Sequence, residues 1–191
     1  MKATTFRMPR FLSRLARDRR GSSAVEFAII APLMIGLYIG CVEISDGVAA
    51  DRKVTLTAGA LANLASQVQT IDTAGMTNIM QAATAIIAPY SAGNLTTTVT
   101  CIKIDAAKAS TVAWSSTVGG VAHPKGSAIV VPDDLKIASS SLVLSEVSYL
   151  YKPVTGFTPW NHIGLNGITL SDKMYMSPRI TAPVFNGDAC S

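Results

Sequence analysis

Histidine is nearly missing from this 191-residue chain, and so is every residue pattern that commonly carries catalysis. His123 and His162 are the only two, 39 residues apart, and neither HExxH nor CxxC occurs. A zinc centre needs three or four ligands, usually at short spacing, so two isolated histidines read as surface or turn residues. The glycine fingerprints of phosphate loops and dinucleotide folds are absent as well. Asp133-Asp134, directly after Pro132, reads as a helix or turn start rather than an acid/base pair. No internal repeat and no low-complexity segment appears. The sequence therefore predicts no catalytic residue, no cofactor and no metal site.

Acidic residues are scarce in the first twenty positions. Lys2, Arg7, Arg10, Arg14, Arg17, Arg19 and Arg20 face only Asp18, a balance of +6 that leaves −2 for the rest of a chain whose total is +4. The high pI belongs to this leader, so it does not read as a nucleic-acid footprint. A basic cluster beside an apolar run is a topological signal instead: it stays cytoplasmic while the chain beyond the run is translocated.

The apolar run is residues 24–44, AVEFAIIAPLMIGLYIGCVEI. As a helix its 21 residues measure about 31 Å, enough to cross a hydrocarbon core of about 30 Å. Its strictly uncharged part, residues 27–42, measures only about 24 Å, which puts Glu26 and Glu43 near the two interfaces. The h-region of a secretory signal peptide and a buried core helix are the competing readings. Residues 40–44, GCVEI, make a poor signal-peptidase site, and Ala49-Ala50 is a weak alternative. Retention as a single-pass anchor is the favoured reading. It divides the chain into a leader (1–21), a transmembrane helix (22–45) and an exported body (46–191).

Only three cysteines occur. Cys41 lies within the apolar run and acts there as a small hydrophobe. Cys101 and Cys190 fall in the exported body, where the redox environment favours a bridge between them, worth about 2–4 kcal/mol. Two unrelated buried thiols are the alternative, since spacing alone does not fix their separation in space.

Beyond the membrane, Val48, Arg52, Val54, Leu61, Leu64, Ala65 and Val68 recur at helical spacings, so the helix is expected to continue as an amphipathic one to about Gln69. Pro32 is expected to kink or locally unwind it. Residues 76–87 predict a second helix ending before Pro89. The period then changes. Residues 94–105 and 139–151 predict strands, the latter central in an antiparallel sheet. Residues 112–118, 128–131, 167–170 and 173–177 are shorter strand candidates. Tyr149, Tyr151, Phe157 and Trp160 form an aromatic cluster that reads as core or sheet-edge packing, with a partner-facing patch as the alternative. The fold class is α+β: a long N-terminal transmembrane helix, continued amphipathically, packed on a small antiparallel sheet as a pilin-like head.

Residues 20–33, RGSSAVEFAIIAPL, resemble the N-terminal signature of the TadE-like family, assembly proteins of tight-adherence type IV pili. Looser similarity extends to residues 146–153 (EVSYLYKP) and 177–179 (SPR). The resemblance implies a membrane-anchored, non-enzymatic, minor-pilin or pseudopilin-like component, whose partners are the bacterial inner membrane, pilins, other pilus assembly proteins and a prepilin peptidase. It further implies a scissile bond between Gly21 and Ser22, with Glu26 as fifth residue of the mature chain and Phe27 and Pro32 completing the assembly signature. Independently of the family, Gly21 gives a protease open access to the backbone; a simple helix-start glycine is the competing reading. Cleavage exposes an α-amino group that a neighbour's Glu26 carboxylate can pair with at low dielectric; an unpaired Glu26 snorkelling to the cytoplasmic interface is the competing reading. A tethered exported enzyme or ligand-binding domain is the alternative function.

Overall fold

The computed structural model describes residues 21–153 and 167–190. Residues 1–20 of the leader, Phe157, Trp160 and His162 therefore lie outside the described residues. Among the described residues, eight helices and strands occur in chain order: α1 (Ser22–Gln67), β1 (Thr70–Ile71), α2 (Thr73–Ile87), β2 (Leu95–Ile104), β3 (Ser110–Val118), β4 (Ser140–Tyr151), β5 (Ile168–Met176) and β6 (Val184–Phe185). The fold is α+β, a long N-terminal apolar helix followed by an antiparallel sheet. The chain divides into two compact units, residues 1–42 and 43–191.

In the first unit α1 stays α-helical through Pro32, so the expected local unwinding is not observed. Proline removes one intrahelical hydrogen bond, and the apolar residues on either side keep the rest of the ladder intact.

The second unit is built on a four-stranded antiparallel sheet of order β3-β2-β4-β5, with β2 and β4 in the centre. Alternation gives β2 two working faces. Leu95, Val99 and Cys101 join the main core with Val143, Val147, Tyr149 and Tyr151 of β4, while Ile102 and Ile104 face a second cluster with Val131, Leu142 and Leu144. The register shift against β3 after Cys101 lies where the apolar pattern changes face.

The main core is closed by two helical segments. From α1 come Ala50, Val54, Ala58, Leu61 and Ala65, all fully buried. This corrects the expected inward face: Val54, Leu61 and Ala65 are in the core, but Val48, Arg52, Leu64 and Val68 are exposed. Alanines hold those inward positions because a small side chain lets the helix lie close to the strands. A reading weighted by hydrophobicity favours Val and Leu over them. From α2 come Met76, Met80, Ala83 and Ile87, spaced at four, three and four residues. The helix starts earlier than expected because the Asp72 carboxylate accepts from Gly75 N at 2.7 Å, an N-cap worth about 1 kcal/mol.

Two further expectations need correction. Residues 128–131 form no strand; Ala128 makes one isolated bridge to Thr111, and Val131 is spent on the second cluster. Residues 167–170 and 173–177 are parts of one strand, β5, because Asp172 and Lys173 pair in register with Val147 and Glu146 of β4. Asp133 and Asp134 open a short 3-10 turn.

The C-terminal segment clamps the end of α1. Arg179 N donates to Ser66 O at 3.0 Å, Val184 N to Gln69 O at 2.9 Å and Asn186 N to Ile71 O at 3.1 Å, while β6 runs parallel to β1. The buried Trp114 indole donates to Pro183 O at 3.0 Å and packs on Phe185, with ring centroids 5.4 Å apart. Cys190 is disulfide-bonded to Cys101, with Cα atoms 5.9 Å apart.

Candidate membrane-anchoring and assembly surface

The described residues of the first unit carry their chemistry on the surface. Phe27 is 72% exposed, and Val25, Ile29, Leu33, Ile35, Leu37 and Tyr38 are all exposed. Apolar side chains turned outward all round a helix suit a hydrocarbon solvent. α1 is the one helix among the described residues long and apolar enough to cross a membrane, with a mean hydropathy of 2.1 in its most apolar window. One such N-terminal helix suggests single-pass membrane anchoring.

Gly21 immediately precedes α1 with nothing within 4 Å of where a Cβ would stand, and Ser22 is the first residue of the helix. Glu26 and Pro32 are both exposed on α1. One spacing is missed when the sequence is read alone. Ala28, Pro32, Gly36 and Gly40 recur every four residues, and both glycines have open space around them. The GxxxG pair within it allows close approach of helices in lipid, and the motif itself was the available signal.

In the second unit, Glu43 is the charged residue that burial singles out, at 8% exposure. The Tyr151 hydroxyl reaches its Oε2 at 3.4 Å and its carbonyl at 3.5 Å. Burial, followed by the negative charges of Glu43 and Asp46, pushes the Tyr151 hydroxyl up to about 12, so it remains a donor at any physiological pH. Tyr90 packs on Tyr149 and Tyr151 with centroids 6.1 and 6.4 Å away and donates to Asp46 O at 3.0 Å. Of the aromatic cluster, Tyr149 and Tyr151 are thus core residues, and Tyr90 replaces the members that lie outside the described residues. Beside them a cleft of about 380 Å³ is lined by Glu43, Ile44, Gly47, Val48, Asp51, Tyr151, Pro153, Ile168 and Leu170.

His123 is not isolated. Its Nε2 lies 2.5 Å from Glu146 Oε2, and Lys173 Nζ donates to Glu146 Oε1 at 2.6 Å. The cluster ties the segment after β3 to Glu146 on the central strand β4 and to Lys173 on the edge strand β5. Burial pushes the Glu146 carboxyl up, but hydrogen bonds and charge from Lys173 and His123 outweigh it and hold the group below its ordinary value of 4.5. Ionised Glu146 therefore stabilises the fold above pH 4.5, and that contribution is lost as the pH falls through the lowered folded value. Glu146→Gln is expected to flatten the decline of melting temperature below pH 4.5; an unchanged acid limb would show that the cluster adds nothing. Among the described residues, no group of three or more His, Cys, Asp or Glu is placed to hold a metal.

With this geometry in view, comparison with known proteins adds one match. Residues 21–62 match the family model described as TadE-like protein. This segment is TadE-like. The match begins on Gly21 and extends past the membrane run to Ala62, so the TadE-like segment takes in the α1 positions that build the core of the second unit, from Ala50 to Ala62. The TadE-like family implies involvement in the tight-adherence pilus and association with pilus assembly machinery, and it is typically non-catalytic. No curated protein and no solved structure matches the chain.

Proposed function

We propose that the protein is a minor-pilin or pseudopilin-like component of a tight-adherence pilus, acting by docking and helix packing rather than by catalysis. The observation that carries this reading is the TadE-like match starting at Gly21 on a helix whose apolar side chains face outward. The leader stays in the cytoplasm, α1 crosses the inner membrane, and the body stands in the periplasm, where the Cys101–Cys190 bridge is chemically at home. A prepilin peptidase cuts between Gly21 and Ser22. The new amino group pairs with Glu26 of a neighbouring subunit and sets its register, while Phe27 and Pro32 shape the helix surface that packs in the assembly. Losing one partner of a buried ion pair costs about 3–5 kcal/mol, so Glu26→Ala weakens assembly more than insertion.

The test is mass spectrometry of the N-terminal peptide from native membranes. A chain starting at Ser22 only when the prepilin peptidase is present is the expected result. An intact leader on a protein fully functional in soluble form would favour a tethered enzyme or binding domain instead.

A further inference from the structure

We propose that the cleft lined by Ile44, Gly47, Val48, Ile168 and Leu170 takes lipid, so that the chain's contact with lipid continues beyond Val42. The inference rests on the reading that residues 27–42 cross a bilayer. That uncharged run measures about 24 Å against a hydrocarbon core of about 30 Å, leaving about 6 Å to be shared between the residues before Phe27 and those beyond Val42.

The residues beyond Val42 begin the cleft. Ile44 is 70% exposed, and Val48 and Ile168 are each 49% exposed, an apolar surface that begins two residues after Val42. Val48 is six residues beyond Val42, about 9 Å of helical rise, which keeps it within the remaining core and the headgroup zone that adds roughly 5–8 Å per leaflet. Glu43 also lines the cleft, but it is only 8% exposed and its Oε2 accepts from the Tyr151 hydroxyl at 3.4 Å, so little of its charge faces hydrocarbon. Asp51, eight residues after Glu43 and exposed, forms the wet lip. Exposed Arg52 and Lys152 adjoin lining residues in sequence and are suited to lipid phosphates. Apolar floor, shielded carboxylate and basic neighbours form the layered chemistry of a bilayer boundary.

The test uses the full chain with Cys41→Ser, reconstituted in vesicles of phosphatidylethanolamine and phosphatidylglycerol. Nitroxide labels are placed at Ile168→Cys, at Val48→Cys as a second reporter, at Val121→Cys as a water reference and at Ile35→Cys as a helix reference. Power saturation then compares oxygen, which concentrates in lipid, with an aqueous nickel chelate. The expected result is oxygen accessibility exceeding nickel accessibility at 168 and 48, with the opposite order at 121. Labels at 168 and 48 that behave like 121 would overturn the inference, and so would labels shielded from both reagents, which would mean protein in the cleft. If 35 is also open to nickel, the anchoring reading itself fails. If 35 sits in lipid while 168 and 48 do not, only the cleft assignment fails.

Discussion

Cys190→Ser is expected to lower the unfolding free energy by about 2–5 kcal/mol and to loosen the C-terminal clamp before the rest of the head. The bridge joins residues 89 apart, so its removal returns a long stretch of chain to the unfolded ensemble's freedom. Both cysteines are fully buried, Cys101 in the middle of β2 on the core face. The serine hydroxyl adds a penalty of about 1–3 kcal/mol if it stays buried without a partner. The clamp's remaining ties include the backbone bonds to Ser66, Gln69 and Ile71, the Trp114 to Pro183 bond, side-chain bonds from Arg179 to Asn63 and between Asn186 and Thr73, and the exposed Lys125–Asp188 ion pair. Exposed ion pairs contribute little, so they do not replace a covalent link. Hydrogen exchange should accelerate first at residues 184 and 186, and denaturant unfolding of the oxidised full chain should show an earlier midpoint. A mobility shift on reduction should also vanish in Cys101→Ser on non-reducing electrophoresis. An unchanged midpoint together with unchanged exchange would show that the clamp holds without the bridge.

That clamp marks where the sequence stops being readable. α1, β2 and β4 are legible because each repeats a period over ten or more residues: an unbroken apolar run, an amphipathic continuation, β-branched alternation. β1 and β6 have two residues each and no period at all. They exist because Val184 finds Gln69 and Asn186 finds Ile71 more than a hundred residues away. β5 is hidden for a different reason. Ser171-Asp172 has the composition of a turn, yet pairing with Ser148 and Val147 and the Lys173–Glu146 ion pair keep the backbone extended. The inward face of α1 is misread at Ala50, Ala58 and Ala62 because close packing, not hydrophobicity, selects those residues.

The candidate surface divides in the same way. Gly21, Glu26, Phe27 and Pro32 stand in one local string, so their relation to each other is written in the sequence. The partner of Glu43 is not. Its carboxylate meets Tyr151, 108 residues away, and the sequence offers only two polar ends of a short apolar run. His123 reads as isolated for the same reason: its partner, Glu146, lies across the sheet on a strand with its own pattern.

Ile35→Asp places the sharpest demand on the anchoring reading. Ile35 stands at the middle of residues 27–42 and is 59% exposed, so its side chain is not sheltered in a core among the described residues. An aspartate near the centre of a transmembrane helix costs about 2.5–3.5 kcal/mol in insertion, while the lost isoleucine forfeits about 0.3–0.6 kcal/mol. Together these correspond to a shift of roughly a hundredfold or more in the balance between inserted and uninserted chain. A run of only 16 residues has little surplus with which to absorb that loss, and sliding the helix to bring position 35 to an interface would drag Glu26 or Glu43 inward. Alkaline extraction of membranes is therefore expected to release most of Ile35→Asp while the wild-type chain and the conservative Ile35→Leu stay in the pellet. The head should be indifferent to the change, because residue 35 lies outside the second unit and contributes nothing to its core. Retention of Ile35→Asp at the wild-type level would mean that something other than this helix holds the protein at the membrane.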